Sequence, residues 1–304
     1  MDELQRIKNL QTPDREIDVV LDTDAYNEID DQYAIAYLLR SKPKLHTRAL
    51  YAAPFFDHHS ESPADGMEKS YQEIKHLLHL MRLEEMEDRV FRGSETYLKD
   101  EKTPVISPAA EHLCALAMEY SAENPLYVVS IGAITNIASA ILLRPEITER
   151  IVVVWLGGNA VHWPNNREFN LIQDIAAARV VFGSGVPLVQ LPAMGVVSAF
   201  TVSEAELLHW LRGRNELCDY LVQHTVDEMA GAAGNPWSRP IWDVTAVAWL
   251  LGGFTEDSLI HAPIPEYDHY YAHDPARHFM KYVYHIYRDA LVRDLFEKLS
   301  RQAD

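Results

Sequence analysis

Ten residues near the start of the chain contain four aspartates, Asp22, Asp24, Asp30 and Asp31. Carboxylates this close raise one another's pKa unless a cation or hydrogen-bond donors compensate their charge. The segment supplies no cation of its own, since no lysine or arginine lies between positions 15 and 40. Ca²⁺ accepts carboxylate and carbonyl oxygens in a flexible geometry. The spacing therefore predicts that these acids bind a hard divalent cation.

The four acids are predicted to lie where a strand passes into a helix. Residues 19–21 form an apolar run typical of a buried strand, and apolar side chains from Tyr33 onward recur at helical spacing. The acids then occupy the carboxyl end of the strand and the loop that leads to the helix. Open α/β sheets bind their ligands at that edge.

Helix formation offers another explanation for two of the acids. Asp30 could cap the helix, and Asp31 could interact favourably with the helix dipole. Asp22 and Asp24 flank Thr23 at the end of the strand, and neither effect explains them. We therefore favour a functional role for the cluster.

Strand-like and helix-like segments alternate along most of the chain, which indicates βαβ units. We therefore predict an α/β fold with a single open, mainly parallel, Rossmann-like sheet and helices on both of its faces. The predicted strands are 18–22, 47–53, 89–91, 127–131, 151–156 and 188–191, and the predicted helices lie near 30–40, 66–82, 108–121, 135–142, 174–183 and 203–212.

No linker divides the sequence, so we predict one domain over residues 1–304. Residues 1–16 are expected to form a terminal arm. An aromatic segment and an amphipathic helix within 267–304 are expected to close the domain. Two polar segments, 57–65 and 161–167, each follow a predicted strand, so both are expected to border the ligand site.

Composition excludes several classes of partner. The net charge of −18 disfavours nucleic acid, because such binding depends on lysine and arginine neutralising phosphates. No apolar run approaches membrane-spanning length, and the first residues lack the pattern of a signal peptide. Cys114 and Cys218 have neither disulfide nor metal-ligand spacing. We expect a cytoplasmic protein that binds a small molecule and does not bind a membrane.

Several motifs occur in the order found in a known enzyme family. They span about residues 17 to 250, and their shared order is more specific than any one motif. Together they resemble the calcium-dependent nucleoside hydrolases, the inosine-uridine preferring N-ribohydrolase family. The motifs are Asp22-Thr23-Asp24 with Asp30-Asp31, Ser130 to Ala138, Leu156-Gly157-Gly158 with Glu168-Phe169-Asn170 and Asp174, and Trp242-Asp243 before an apolar helix.

The resemblance implies hydrolysis of the N-glycosidic bond of a ribonucleoside or related N-riboside, with Ca²⁺ as cofactor, by a homo-oligomer that is a dimer or a tetramer. Carried over position by position, it implies that Asp24, Asp31, Asp243 and the main-chain carbonyl of Ile131 bind the metal. Asp24 would also be the general base, and Asp22 would support the loop from behind.

The resemblance also implies the contacts to the substrate. Cleavage passes through an oxocarbenium-like centre, which requires an activated water, a grip on the sugar and help for the departing base. Asp30 would bind the ribose 2′-hydroxyl, and Glu168 and Asn170 would hold the ribose, with Asn170 near the developing positive charge. We expect Asn136 to be a supporting residue. Asp243, taken alone, would be explained by capping a helix.

The chain departs from the family pattern in the loop between Asp24 and Asp30, which is two residues longer. This resembles a branch of the family whose loop contains Asn and Glu. Whether Asn27 or Glu28 enters the site stays open. Trp242 also stands where several relatives carry a histidine that is thought to protonate the base.

A second departure is Asp57, which stands where the family has a ribose-contacting asparagine. We predict that Asp57 and Trp242 contact the substrate. Tryptophan stacks on a base but does not readily donate a proton, so base recognition is expected to depend on stacking and shape. The loop histidines His58, His59 and His162 are the candidates for protonating the base, and the loop aromatics are Tyr26, Phe55, Phe56 and Trp163.

Two other functions remain compatible with the sequence. Phosphatases of the haloacid dehalogenase type also begin with a strand and Asp-x-Asp, but their pattern has Thr or Val where this chain has Tyr26. A non-catalytic nucleoside-binding homologue would keep the metal site and lack leaving-group chemistry. Trp242 and Asp57 motivate that alternative.

Overall fold

The computed structural model describes residues 1–301 and contains one eight-stranded sheet with two short two-stranded ones. The large sheet has the order β3-β2-β1-β4-β5-β6-β12-β9, and only β9 is antiparallel to its neighbour. In chain order the strands are β1 Ile17–Thr23, β2 Leu45–Ala52, β3 Val90–Arg92, β4 Leu126–Ser130, β5 Ile151–Leu156, β6 Leu188–Leu191, β7 Thr201–Ser203, β8 Ser238–Pro240, β9 Thr255–His261, β10 Ile264–Pro265, β11 Tyr271–Ala272 and β12 Phe279–Ile286.

The helices cover both faces of the large sheet, as predicted. They are α1 Glu3–Asn9, α2 Asp30–Leu39, α3 Pro63–Leu80, α4 Pro108–Leu116, α5 Thr135–Leu143, α6 Phe169–Gln173, α7 Ile175–Gly183, α8 Glu204–Trp210, α9 Glu216–Glu228, α10 Val244–Leu251 and α11 Arg288–Ser300. All six predicted strands are present, and their ends differ from the predicted ends by at most two residues.

Strand β1 shows why two separate cores form. Successive side chains of a strand point to opposite faces, so Val19 and Leu21 pack on one side and Val20 on the other. The first side is covered by α2, α3, α9, α10 and α11, and the second by α4, α5 and α7. Both faces are buried, which explains why these strands are apolar at nearly every position.

The structure adds detail to both predicted terminal segments. The expected terminal arm, residues 1–16, contains helix α1, whose Glu3 carboxylate accepts a hydrogen bond from the backbone N–H of Phe279 at 3.2 Å. The predicted closing segment, residues 267–304, contains β12 and α11, and β9 precedes it and pairs with β12. Strand β9 lies at the sheet edge and alternates exposed with half-buried residues, so it lacks the apolar run by which the other strands were identified.

The strand order reverses direction between β1 and β4. From β1 the chain proceeds outward to β2 and β3, whereas from β4 it proceeds the other way to β5 and β6. Adjacent loops diverge at such a point and leave a crevice at the carboxyl ends of the strands. The aspartate loop follows β1, so the fold brings the predicted site to this crevice.

The cysteines and the hydropathy of the helices can be described for residues 1–301. Cys114 and Cys218 are both free and buried. No helix within residues 1–301 combines the length and the apolar composition needed to cross a lipid bilayer.

The environment of His278 predicts a loss of stability in mild acid. Burial, together with nearby Arg6 and Arg277, lowers its pKa to about 4 from an ordinary value of 6.5, although Glu3 acts in the opposite direction. Because the folded protein resists protonation of His278, the contribution of this residue to the free energy of unfolding should fall as pH decreases below 6.5, by about 1 kcal/mol after solvent screening. Urea unfolding at pH 7.5 and 5 should show this difference reduced in His278→Gln.

Candidate functional site

A cavity of about 220 Å³ opens at the reversal point between β1 and β4. The loops after β1, β4, β5 and β6 and the start of α10 form its walls. Six acidic residues line it, namely Asp24, Glu28, Asp30, Asp31, Glu168 and Asp243. Ile131, Asn170 and Trp242, which the sequence analysis also singled out, line it as well. Residues separated by more than half the chain therefore meet here.

Asp24 places a free carboxylate oxygen in this cavity. The residue is 1% exposed, and its Oδ2 has no hydrogen-bond partner among residues 1–301. Its other oxygen lies against the loop after β4, where a Cβ added to Gly132 would approach Asp24 Oδ1 to 2.9 Å. Glycine at this position thus permits the close approach of the two loops. A buried oxygen without a donor is costly unless a ligand occupies it.

The carboxylates of Asp30, Asp31 and Asp243 converge from two helices. One oxygen of each lies within 4.8 Å of one oxygen of the other two. The Thr23 hydroxyl donates a hydrogen bond to Asp31. This group differs from the predicted ligand set in containing Asp30 in place of Asp24, although all four carboxylates line the same cavity.

Helix capping does not explain these acids. Helix α2 is preceded by Ile29 at its N-cap, and Asp30 already lies in its first turn. Asp243 occupies the N-cap position of α10 but makes no capping hydrogen bond there. Both carboxylates therefore remain available to the cavity.

The electrostatics of the cluster call for a cation. Burial, reinforced by the neighbouring carboxylates, raises the pKa of Asp24, Asp31 and Asp243 well above the ordinary value. Burial also raises the pKa of Asp30, and the positive charge of Arg239 lowers it in part. A bound hard cation would reverse this situation, because opposite charge favours the ionised carboxylate. The donor set is entirely oxygen, which fits Ca²⁺, Mg²⁺ or Mn²⁺ better than a soft metal.

Asn170 links two cavity walls. Its Nδ2 donates hydrogen bonds to the carbonyls of Ile131 at 2.9 Å and Leu156 at 3.0 Å. These two bonds use both amide hydrogens and leave Oδ1 as the atom available to a ligand. The Ile131 carbonyl has a second lone pair that could still bind a metal.

Glu168 is held more firmly than the sequence suggested. It caps α6 by accepting hydrogen bonds from the backbone N–H groups of Asn170 and Leu171, both at 2.9 Å, and it accepts another from Gly158 at 2.7 Å. Burial raises its pKa, which the three donors counteract. Its structural function is therefore clear from these contacts, while its position in the cavity wall also allows contact with a ligand.

Asp22 and Asn136 form a buried layer behind the aspartate loop. Asp22 accepts hydrogen bonds from Asn136 Nδ2 at 2.7 Å and from the Ser130 hydroxyl at 3.0 Å. Asn136 Oδ1 accepts from both the backbone and the hydroxyl of Ser94. Burial raises the pKa of Asp22 to about 7, although these donors counteract the shift. Neither Asp22 nor Asn136 lines the cavity, in keeping with a supporting position.

Removing the Asn136 amide should destabilise the fold. Asn136→Ala would leave buried groups of Asp22 and Ser94 without partners, so we expect the free energy of unfolding to fall by about 2–4 kcal/mol. Denaturant unfolding provides the measurement, with the exposed Asn124→Ala as the matched control. A change below about 0.5 kcal/mol in Asn136→Ala would contradict the importance of this layer.

The extended loop enters the cavity and brings in a residue that the sequence analysis missed. Asn27 and Glu28 both line the cavity. Glu28 is paired with Arg239, whose Nη2 lies 3.0 Å from Glu28 Oε2 and 3.9 Å from Asp30 Oδ1. Arg239 lies on β8, which pairs only with short strand β7 within residues 1–301. No local pattern associates this arginine with acids so far away in sequence.

Asp57 and the loop histidines lie outside the cavity lining. Asp57 accepts a hydrogen bond from the backbone N–H of His59 at 2.7 Å and forms an outer cluster with His58 and His59. His162 is exposed and does not line the cavity either. Asp57 is nevertheless close enough to Glu28, which lines the cavity, for its charge to raise the pKa of Glu28, so its contact with a substrate stays a prediction.

The aromatic lining also differs from expectation. Trp242 lies in the cavity wall as predicted, together with Phe169. Phe55 is fully buried in the protein, so it is inaccessible to a base. The other three predicted aromatics, Tyr26, Phe56 and Trp163, are between 38% and 51% exposed and do not line this cavity.

Sequence comparison connects this arrangement to a described family. The pattern of the inosine-uridine preferring nucleoside hydrolases matches residues 57–281, about three quarters of the chain. The pyrimidine-specific ribonucleoside hydrolase RihA of Salmonella enteritidis is 30% identical over 155 residues, which cover 48% of each chain. The chain thus spans about half the length of the curated relatives it matches. The aspartate loop precedes the segment matched by the family pattern.

Solved structures share the fold over nearly the whole chain. A plant nucleoside hydrolase, PpNRh1, has a TM-score of 0.74 and 20% identity, and the match covers 93% of this chain and 99% of that one. The purine-preferring ribonucleoside hydrolase from Gardnerella vaginalis has the same TM-score and 18% identity, with coverage of 94% and 99%. At these identities the similarity establishes the α/β architecture.

Proposed function

Because this chain belongs to the inosine-uridine preferring nucleoside hydrolase family, we propose that it hydrolyses the N-glycosidic bond of a ribonucleoside or related N-riboside to free base and ribose. The main support is the convergence of four buried aspartates in one cavity, where Asp24 has an oxygen without a partner within residues 1–301. A small, acid-lined cavity suits a neutral or cationic substrate with hydroxyl groups.

In the proposed reaction, Asp24 acts as the general base. It accepts a proton from the water whose oxygen attacks C1′ of the ribose, while the bond from C1′ to the base nitrogen breaks and its electron pair leaves with the base. The free Oδ2 of Asp24 is suited to this task, since no donor in residues 1–301 competes for it. Asp22 and Asn136 hold the preceding strand from behind.

We assign the cation as Ca²⁺, bound by Asp24, Asp31, Asp243 and the carbonyl of Ile131. The unpartnered oxygen of Asp24, the raised carboxylate pKa values and the all-oxygen donor set support a hard divalent cation. Such an ion, when bound, lowers the pKa of a coordinated water and chelates vicinal hydroxyls.

The sugar is assigned to three other residues of the cavity lining, Asp30, Glu168 and Asn170. Asp30 accepts a hydrogen bond from the 2′-hydroxyl, and Glu168 binds the ribose through the lone pairs that its three backbone donors leave free. Asn170 presents Oδ1, the negative end of its amide dipole, to the positive charge that develops on the ribosyl group. Its two hydrogen bonds to carbonyls fix that orientation.

The leaving group is expected to limit activity on natural nucleosides. Within residues 1–301, no histidine or tyrosine lines the cavity, and Trp242 does not readily donate a proton. A nitrophenyl riboside, whose leaving group needs no acid, should therefore be cleaved faster than inosine or uridine. Trp242→His should raise turnover of the natural nucleosides toward that rate. Equal or faster cleavage of a natural nucleoside by the unmodified protein would contradict this prediction.

A panel of nucleosides tests the function itself. Base release should be followed by chromatography with inosine, guanosine, uridine, cytidine and a nitrophenyl riboside, each with Ca²⁺ or with EDTA. The proposal predicts free base and ribose only where Ca²⁺ is present. Calorimetric binding of a nucleoside without base release at high protein concentration would favour a non-catalytic homologue, and phosphate release from phosphate esters with Mg²⁺ would favour a phosphatase.

The cellular context belongs to the same proposal. Two free, buried cysteines are compatible with a reducing cytoplasm, where disulfides are rare. We also propose a homo-oligomer, a dimer or a tetramer, which light scattering coupled to size-exclusion chromatography would test.

A further inference from the structure

Arg239 connects three acidic residues from separate parts of the chain. Its side chain is 13% exposed, and its Nη1 lies 2.6 Å from Glu228 Oε2 at the end of α9. Its Nη2 lies 3.0 Å from Glu28 in the extended loop and 3.9 Å from Asp30 at the start of α2. The guanidinium therefore lies between the end of α9 and the loop residue Glu28 in the cavity wall.

This arrangement is more restrictive than an ordinary surface ion pair. Exposed pairs contribute little, because solvent screens them and flexible side chains must be ordered. The backbone of Arg239 is fixed by pairing of β8 with β7, where Arg239 lies opposite Val202. The planar fork of arginine can hold two carboxylates at once, which the single ammonium of lysine does less well.

Asp30 requires such a contact because of its other neighbours. Its carboxylate lies within 4.8 Å of those of Asp31 and Asp243, and its charge raises the pKa of both, because ionised carboxylates this close repel one another. Arg239 approaches Asp30 from the side of Glu28, so its attraction opposes that repulsion. The same guanidinium holds Glu28 and with it the two-residue extension of the loop. Loop and arginine thus form one unit beside the cavity.

We propose that Arg239 is a positioning residue that orients Asp30 directly and through Glu28, so that the site discriminates ribosides from 2′-deoxyribosides. This inference rests on the proposed function, in which Asp30 binds the 2′-hydroxyl. A correctly oriented carboxylate gains a hydrogen bond from a riboside that a 2′-deoxyriboside cannot make. The discrimination should consequently depend on Arg239, although Arg239 does not line the cavity.

The test compares inosine with 2′-deoxyinosine in Arg239→Gln. We expect kcat/KM for inosine to fall about tenfold or more, the usual value of a hydrogen bond to a charged group, and kcat/KM for 2′-deoxyinosine to change much less. General damage to the site would reduce kcat/KM for inosine and for 2′-deoxyinosine by the same factor. The ratio of the two values would then be unchanged, and that result would overturn the proposal. Arg48→Gln, which removes ion pairs with Asp18 and Glu119 away from the cavity, should leave the ratio unchanged.

Two further variants distinguish the direct effect of Arg239 on Asp30 from its effect through Glu28. Arg239→Lys keeps a charge near Asp30 and should recover part of the ratio. Glu28→Gln should reproduce part of the loss and add little to Arg239→Gln, because both variants interrupt the same connection. Full additivity would contradict the connection through Glu28.

Equilibrium binding separates this proposal from the proposed function. Calorimetry with ribose and 2-deoxyribose, in the presence of Ca²⁺, measures the discrimination without catalysis. If the unmodified protein releases no base, the hydrolase assignment fails. A preference for ribose that Arg239→Gln abolishes would still support the positioning role, and a preference that survives the substitution would refute it.

Discussion

Asp24→Asn should lower turnover by at least about 10³-fold while the protein stays folded, since general base catalysis alone contributes about 10²–10⁴. Asparagine keeps the shape of the side chain but cannot accept the proton of the attacking water. Asp24 Oδ2 has no partner within residues 1–301 that the substitution would disturb. The loss should therefore appear in kcat, measured with a nucleoside or nitrophenyl riboside. In EDTA the variant should unfold no more readily than the parent, because the substitution removes one of several mutually repelling charges.

Asp18→Asn is the matched control for Asp24→Asn. Asp18 lies on the same strand but near its other end, where it contacts Arg48 and Tyr120. The same chemical change there should leave kcat within about twofold, since the position is far from the cavity. Near-normal base release by Asp24→Asn would rule out Asp24 as the base, whereas a similar loss in both variants would point to unfolding.

The second large effect is expected for Asp243→Asn, which should weaken metal binding but stabilise the metal-free protein. Asp243→Asn removes a ligand, so affinity for Ca²⁺ should fall at least about a hundredfold, and the stabilisation by excess Ca²⁺, about 2.7 kcal/mol at a hundredfold excess over Kd, should shrink. Without metal, the same substitution removes one of several mutually repelling charges. The chelated variant should then be more stable than the chelated parent.

Calorimetric titration and thermal unfolding, each with EDTA or Ca²⁺, test both signs. Asp289→Asn, whose side chain is 86% exposed on α11, provides a control that should change neither quantity. An Asp243→Asn protein with unaltered Ca²⁺ affinity would remove Asp243 from the ligand set. Destabilisation in EDTA would indicate that Asp243 supports the helix more than it repels its neighbours.

The sequence predicted the strands of the sheet well because burial on both faces leaves a direct signal. Strands such as β5 are apolar throughout, and the carboxyl ends of parallel strands must share one edge. Asp24 and Ile131 were therefore expected at the same edge of the sheet, and the pairing of β1 with β4 in the structure makes them neighbours. The resemblance to the family then added Asp243, and the structure places it in the same cavity.

The remaining site residues depend on interactions that leave no local pattern. Arg239 reaches Asp30 only because the short strands β7 and β8 pair, and neither strand has a distinct apolar period. Asp57 was predicted to contact the substrate because it stands where the family has an asparagine, and the sequence did not show that it accepts a hydrogen bond from the backbone of His59 in its own loop. Loop direction depends on such individual contacts and not on periodicity.

The convergence of Asp31 and Asp243 has a consequence for how the protein is made. The first lies near the beginning of the chain and the second beyond residue 240, so ribosomes working at about 5–20 residues per second need roughly 10 to 40 s to deliver the second after the first. Until then the early carboxylates lack the third carboxylate with which they would bind a cation. Nascent chains interrupted in this interval cannot complete the cluster, so only a product that extends beyond residue 243 acquires the additional stabilisation that a bound ion provides.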